Sequence, residues 1–433
     1  MEHSRLPLDV YLEIIDAVAL DPDRNSGATL AACALTARSW LPRARFGLYS
    51  KVVLRGNKQC LAFSQALLDC SALGPLVQDL MLFQVWARWD RDSPDDQYDP
   101  FPLQAVHTLS NLKNMTFEFD GGEVVPPNPI FPFLREVASR PSLRTLGLGS
   151  FTFHSVDDLV EILAAGPHLT SVVVAAFIFN CEFSKGNSRA DFAPDYCRDL
   201  RTVVFTDNEK MDPLLRALPF PSNITRLTLG PPWRETDPGL QQYYEGVTLN
   251  DFLDLPHFVK LEDLVLLVVD TGAWVASVLA MVRSPALQML SLFCWCEELD
   301  STWGSVLQDL DLPLRDIDTM LSKAPFLGLR RIRVTVFCRE DEFSSRSNDG
   351  SSGEAEDSAG DSSRDPEQVS VSDDQTENTS GSRSEREDAA DGSAEDILWF
   401  KQQVRESMPS CHEREILEVH AKVRTPIMLR WLV

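Results

Sequence analysis

One apolar phrase returns along the whole chain, and few folds can accommodate it. It stands at Leu143, Leu146 and Leu148, at Leu169, Val172 and Val174, at Leu200, Val203 and Phe205, and at Ile224, Leu227 and Leu229. It recurs at Leu261, Leu264 and Leu266, at Leu287, Leu290 and Leu292, and at Leu329, Ile332 and Val334, with an earlier copy at Leu112, Met115 and Phe117. The last two apolar positions of each copy lie two apart, so on a strand they face the same way. A single strand cannot bury that face, whereas stacked copies bury one continuous core. The expectation is an α/β chain built as a solenoid of strand–helix units.

The copies begin about 31 residues apart, with wide scatter, near the upper edge of the roughly 20–29 residues usual for leucine-rich repeats. Helical periodicity precedes the strands: 60–70 before Val77, Leu80 and Leu82, then Val156–Ala165, Met211–Leu218, Trp274–Val282 and Ile317–Ala324. Stretches such as Trp86–Pro102 and Cys181–Tyr196 read as loop insertions. The first fifty residues differ. Pro7 opens one helix, along which Leu8, Leu12 and Ile15 form an apolar line beside Val10, Ile14 and Val18. A turn-rich linker, Asp21–Gly27, leads to a short helix over Thr29–Leu35, and Pro42 opens a third through Tyr49. Val52–Leu54 then reads as a strand. Near the other end, 344–396 holds no Leu, Ile, Met, Phe, Tyr, Trp or Cys and reads as disordered. Structure is expected to resume with a helix over Ile397–Ser407 and a strand over Ile416–Val423, so the acidic stretch interrupts the last repeat. The boundaries are thus 1–50, a helical module; 51–340, the repeat array; 341–396, the acidic Ser-rich insertion; and 397–433, the closing helix–strand unit.

Charge narrows the partners. The net charge is −25, and Glu340–Asp396 holds 19 acidic against 4 basic side chains. That balance argues against a general nucleic-acid surface, which needs clustered Lys and Arg. Nine Cys form no dense framework, and Met1–Val10 carries no secretory apolar run, so reduced thiols and a cytoplasmic or nuclear location are expected. The sequons at Asn114, Asn223 and Asn378 then read as chance matches. The most hydrophobic stretch, Leu264–Val282, is broken by Asp270, Thr271 and Gly272 into pieces too short to span a bilayer, so no membrane partner is expected.

The residues Leu6, Pro7, Leu8, Asp9, Val10, Tyr11, Leu12, Glu13, Ile14 and Ile15 resemble the start of an F-box, and the run Ala32–Arg45 resembles its second half. An F-box followed by degenerate leucine-rich repeats is similar to the large fungal class of F-box proteins. The resemblance implies a small helical module that docks on the Skp adaptor of a cullin-based ubiquitin ligase. Leu6, Pro7, Leu8, Ile14 and Ile15 match the adaptor-contacting first helix, and Leu30, Cys33, Leu35 and Trp40 match the second half. The Leu20–Thr29 linker departs from the family's tight turn. A module of this size buries too little surface to cover two apolar lines, which leaves one for a partner. Read without the resemblance, the same helices are a cap that shields the first repeat, as solenoids require.

Catalysis finds no constellation. Cys294 and Cys296 lack a second Cys or His pair at zinc-site spacing, Cys411, His412 and Glu413 lack a helical His-Glu-x-x-His partner, and acid pairs such as Glu297 and Glu298, or Asp309 and Asp311, fall in loops. There is no nucleophile elbow, phosphate-cradling loop or dinucleotide fingerprint, so neither metal nor cofactor is expected and the chain reads as a non-enzyme. Recognition is expected instead on strand residues that alternate away from the core: Arg226 and Thr228, Asp263, Met289, Ser291 and Phe293, and Arg331 and Arg333. Trp86, Trp89 and Trp233 are loop residues open to either a binding or a capping role. Within the acidic stretch, Ser370 before Asp373 and Ser384 before Glu387 suit acidophilic kinases, although an inert solubilising tether fits equally. The leading expectation is a substrate-recognition subunit that holds a Skp-type adaptor, and through it a cullin, while the repeats hold a target protein. The alternative is a non-catalytic repeat scaffold.

Overall fold

In a computed structural model of the chain, the described residues are 7–21, 26–83, 101–118, 130–153, 156–179, 197–208, 215, 221–230, 255–269, 273–296, 312–339 and 392–424. Eleven strands form one sheet: β1 (Lys51–Arg55), β2 (Asp79–Phe83), β3 (Asn114–Glu118), β4 (Thr145–Phe153), β5 (Ser171–Phe179), β6 (Thr202–Asn208), β7 (Arg226–Leu229), β8 (Asp263–Val269), β9 (Met289–Cys296), β10 (Arg331–Arg339) and β11 (Leu417–Arg424). They stand in sequence order, and every described pairing is parallel. Parallel neighbours need a crossover, and helices supply several of them, at Leu103–Thr108, Ile130–Ala138, Val156–Ala165, Ala273–Met281 and Leu314–Leu321.

The register explains the repeating phrase. Met115, Leu146, Val172, Val203, Leu227, Leu264, Leu290 and Ile332 pair across successive strands. Two residues on, Phe117, Leu148, Val174, Phe205, Leu229, Leu266, Leu292 and Val334 make a second row, and both rows are buried. In six of the eight copies the first apolar residue closes a tight turn: Leu112, Leu143, Leu169, Leu200, Leu261 and Leu329 each donate their N–H to the carbonyl three residues back. Two consecutive N–H groups then bond one carbonyl of the preceding unit, as Arg144 and Thr145 do to Lys113 at 2.7 and 3.0 Å. That pattern repeats to Arg330 and Arg331, which share the carbonyl of Gln288. Close stacking also requires one glycine: a Cβ on Gly74 would stand 2.3 Å from the Thr108 carbonyl oxygen of the next unit.

Leu264–Val282 is indeed a strand and a helix, β8 followed by Ala273–Met281. The helix expected over Met211–Leu218 lies outside the described residues except for the buried Leu215. The expected disorder of 344–396 lies outside them up to 391. At its end the boundary moves: the helix starts at Gly392, not Ile397, so 392–396 belong to structure. Residues 392–396 carry no large apolar side chain, so apolar periodicity begins only at Ile397.

Beyond the insertion the chain returns to the same sheet, and Asp318 holds the closing unit in place. Its buried carboxylate accepts hydrogen bonds from the backbone N–H of Ser410 (3.1 Å) and Cys411 (2.9 Å) at the start of the short helix Pro409–Glu413. Arg414 follows, with its guanidinium on the carbonyls of Leu321 (3.0 Å) and Leu329 (3.3 Å). Burial pushes the Asp318 carboxyl upward, but the hydrogen bonds from Cys411 and Ser410 outweigh it and hold the group below its ordinary value. A lowered native pKa is stability that is present above the unfolded value and lost as pH falls through the folded one. Asp318→Asn is therefore expected to cost about 1–3 kcal/mol at pH 7. In thermal melts the gap from wild type should narrow as pH drops below the ordinary carboxylate range.

Candidate functional site

The amino-terminal helices α1 (Leu8–Leu20), α2 (Ser26–Thr36) and α3 (Leu41–Ser50) have a small core of their own. Ile15, Leu30 and Ala44 are its buried centre, with Leu12, Val18, Cys33, Ala34, Trp40 and Leu48 packed around them. Asp16 and Arg43 tie α1 to α3, and the hydrogen bond from Arg43 holds the Asp16 carboxyl below its ordinary value. The residues matched to the F-box pattern therefore divide. Ile15 and Leu30 are corrected from surface to core: at 2% and 3% exposure they shape the module and have nothing to offer a partner. Leu8 and Ile14 stay 48% and 49% exposed, Leu35 is 89% exposed, and Pro7 is exposed as well. Cys33 and Trp40 are half-buried, with the Trp40 ring 4.8 Å from that of Tyr11, and Leu6 lies outside the described residues. Leu8 points the way Leu12 and Ile15 do, but it is the first residue of its helix. The linker also changes: α2 begins at Ser26, so α1 and α2 are separated by 21–25 and not by Leu20–Thr29.

The second candidate surface is the sheet face opposite the buried rows. The eight predicted residues do share it. Arg226, Asp263, Met289 and Arg331 occupy one register row across β7–β10. Thr228, Val265, Ser291, Arg333 and Glu418 form the next row across β7–β11, and Phe293 stands in a third beside Leu267 and Thr335. Thr228 and Ser291 nonetheless drop out as contact residues, since each is under a tenth exposed. Both are short side chains, and their row neighbour Val265 is buried as well.

Charge on this face is largely spent on itself. Arg226 meets Asp263 at 2.9 Å, while Arg331 and Arg333 meet Glu418 at 3.0 and 3.4 Å. Burial pushes the Asp263 carboxyl above its ordinary value, against the pull of Arg226 and Arg333. Above those ion pairs Phe293 stacks on Phe337 at 6.0 Å, and Trp295 lies 6.4 Å from Phe337. Glu418 and Phe337 were not singled out from sequence. Glu418 is 85 residues from the arginine it pairs with, across the acidic insertion, so only the register reveals it. Trp86, Trp89 and Trp233 lie outside the described residues.

Other motifs carry little chemistry. Burial pushes the thiols of Cys60, Cys197, Cys294 and Cys411 up to about 12, which leaves them poor nucleophiles. Among the described residues no group of His, Cys, Asp and Glu is placed to hold a metal ion, and no helix is long and apolar enough to cross a membrane.

The in-order parallel sheet with its crossover helices makes this a leucine-rich-repeat-like α/β protein. No protein-family model matches the chain, and no curated protein matches it in sequence. Among solved structures, the leucine-rich repeat-containing protein LegL7 of Legionella pneumophila is similar at 12% identity and a TM-score of 0.33, over 74% of this chain and 80% of that one. A Bacteroides fragilis protein is similar at 13% identity and a TM-score of 0.31, over 71% of each chain.

Asp263 offers a test of the open face. A carboxyl with a raised native pKa favours its neutral form in the fold, so it subtracts stability above that pKa and the loss fades as pH falls. Asp263→Asn is expected to melt no lower than wild type at pH 8, with any gain shrinking toward pH 4 in a series of thermal melts.

Proposed function

We propose that this chain is a substrate-recognition subunit of a Skp–cullin–F-box ubiquitin ligase, with α1–α3 holding the adaptor and the open sheet face holding a target protein. The reading rests chiefly on one observation: α1–α3 close their own core and still leave Leu8, Ile14 and Leu35 uncovered. Isolated apolar side chains on a surface are ordinary, but several on one small module suit a partner. Leu8, Ile14 and the half-buried Trp40 are the proposed anchors. Phe293, Arg331 and Arg333 of β9 and β10 are the kind of residue that dominates protein interfaces, and they are the proposed target surface; Trp295 and Phe337 beside them are buried. The chain makes no bond itself. It raises the effective concentration of target lysines near the ligase's charged enzyme.

A second reading has its own support. α3 runs straight into β1, and the N–H of Gln78 bonds the Ser50 carbonyl at 2.9 Å, so the helices are joined to the array as a cap would be. On that reading the chain is a non-catalytic repeat scaffold. Immobilised full-length protein separates the two. Wild type is expected to retain a Skp-type adaptor, and Leu8→Asp with Ile14→Asp to lose at least about tenfold in retention without a change in melting temperature. Equal retention by the double variant, or none by wild type, leaves the scaffold reading alone.

A further inference from the structure

The net charge of −25 hides a cationic edge of the sheet. Every long insertion follows a strand end. Segments 84–100, 231–254 and 297–311 each hold 5 Asp and Glu, against 2, 1 and 0 Lys and Arg, and 340–391 holds 17 against 4, while 180–196 is nearly balanced at 3 against 2. The other edge, where the strands begin, is made of short turns rich in cations. Lys113, Arg144, Arg201 and Arg330 occupy the same place in their units, immediately before β3, β4, β6 and β10; Thr170, Thr225 and Gln288 hold it before β5, β7 and β9, and Glu262, its one acidic member, before β8. Lys260 and Arg283 stand in the turns before β8 and β9, and all six are exposed.

None of these six pairs with a carboxylate among the described residues; their partners are neutral. The Arg144 guanidinium rests on the carbonyls of Pro141 and His168 (2.9 and 3.3 Å), and that of Arg201 on Arg198 and Asn223 (3.2 and 3.4 Å). Lys113 reaches Gln78 Oε1 at 2.9 Å, and Lys260 reaches Asn223 Oδ1 at 3.4 Å. The carbonyls fix the side chains in place without cancelling charge. Adjacent units lie about 4.8 Å apart, so the row is one cation wide and about 34 Å long from Lys113 to Arg330. The acidic segments follow β2, β7, β9 and β10, which run 5, 4, 8 and 9 residues, so the strand ends they follow lie about 13–30 Å from this edge, beyond one Debye length. Acidity elsewhere in the chain thus does not erase the local field.

We infer that this strand-start edge is a docking surface for an acidic segment of a partner protein that carries apolar side chains among its carboxylates. The apolar component follows from Val259 and Leu327, which are 47% and 66% exposed in the same row of turns. A single-stranded nucleic acid is the poorer fit, since it needs exposed aromatic platforms, and the turn aromatics Phe258 and Phe326 are buried. The surface is separate from both α1–α3 and the open sheet face, so it does not rest on the ligase reading.

The test is fluorescence anisotropy of the full chain, without adaptor, against a labelled peptide of about twenty residues built from Glu and Asp with interspersed Leu. Binding is expected to weaken steeply with salt. Lys113→Gln with Lys260→Gln and Arg330→Gln is expected to weaken it about tenfold, while Lys58→Gln with Arg315→Gln and Arg405→Gln, exposed cations on helices, leaves it unchanged. Arg330→Gln alone, which disturbs no hydrogen bond among the described residues, should cost about twofold and guards against a folding defect in the triple variant. Equal binding by the rim variants, equal loss in both triple variants, or tighter binding of a thymidine oligonucleotide of the same length would overturn the assignment.

Discussion

The structure depends on two rows of apolar side chains that no unit can bury alone. Leu146 and Leu148 are removed from water only because Met115 and Phe117 lie on one side and Val172 and Val174 on the other. Burying a side chain of this size contributes about 1.5–3 kcal/mol, so the array gains with every unit that joins and is weakest at its two ends. α1–α3 precede the first strand, and the closing helix–strand unit, clamped through Asp318 and Arg414, stands at the last.

That same stacking distributes chemistry over the surface. Parallel in-order strands place every turn into a strand on one edge and every exit from a strand on the other. Turns must be short, because two successive N–H groups of each unit bond one carbonyl of the unit before, and Gly74 shows how little room remains. Exits are under no such constraint, so the long insertions gather there. A chain with a net charge of −25 thereby acquires one cationic edge. The open face between the edges is less available than its sequence implies. Its arginines are engaged by Asp263 and Glu418, and Thr228, Val265 and Ser291 are buried.

Much of this was legible before any coordinates. The spacing of Leu261, Leu264 and Leu266 is enough to mark β8, because a period of two on a strand and a fixed turn ahead of it leave no other arrangement. The strand after the acidic stretch was legible for the same reason, from Leu417, Val419 and Ala421. Helices were less so. Ile130–Ala138, which supplies Phe133, Leu134 and Val137 to the core, carries a proline at its third position and prolines ahead of it, which weaken its periodicity as a helix signal. In the amino-terminal module, periodicity identified an apolar stripe but not where along it coverage stops, so Ile15 and Leu8 looked alike.

By itself the sequence determined the repeat unit, the inward row of each strand and the acidic character of the insertions, since each is a property of neighbours along the chain. Only the tertiary structure decided which exposed-looking positions are truly open, which arginine finds Glu418 across 85 residues, and that scattered cations before β3, β4, β6 and β10 align as one edge. The reason is that side-chain burial and electrostatic fields are set by distance in space, and stacking brings within a few ångströms residues that the chain keeps about thirty positions apart.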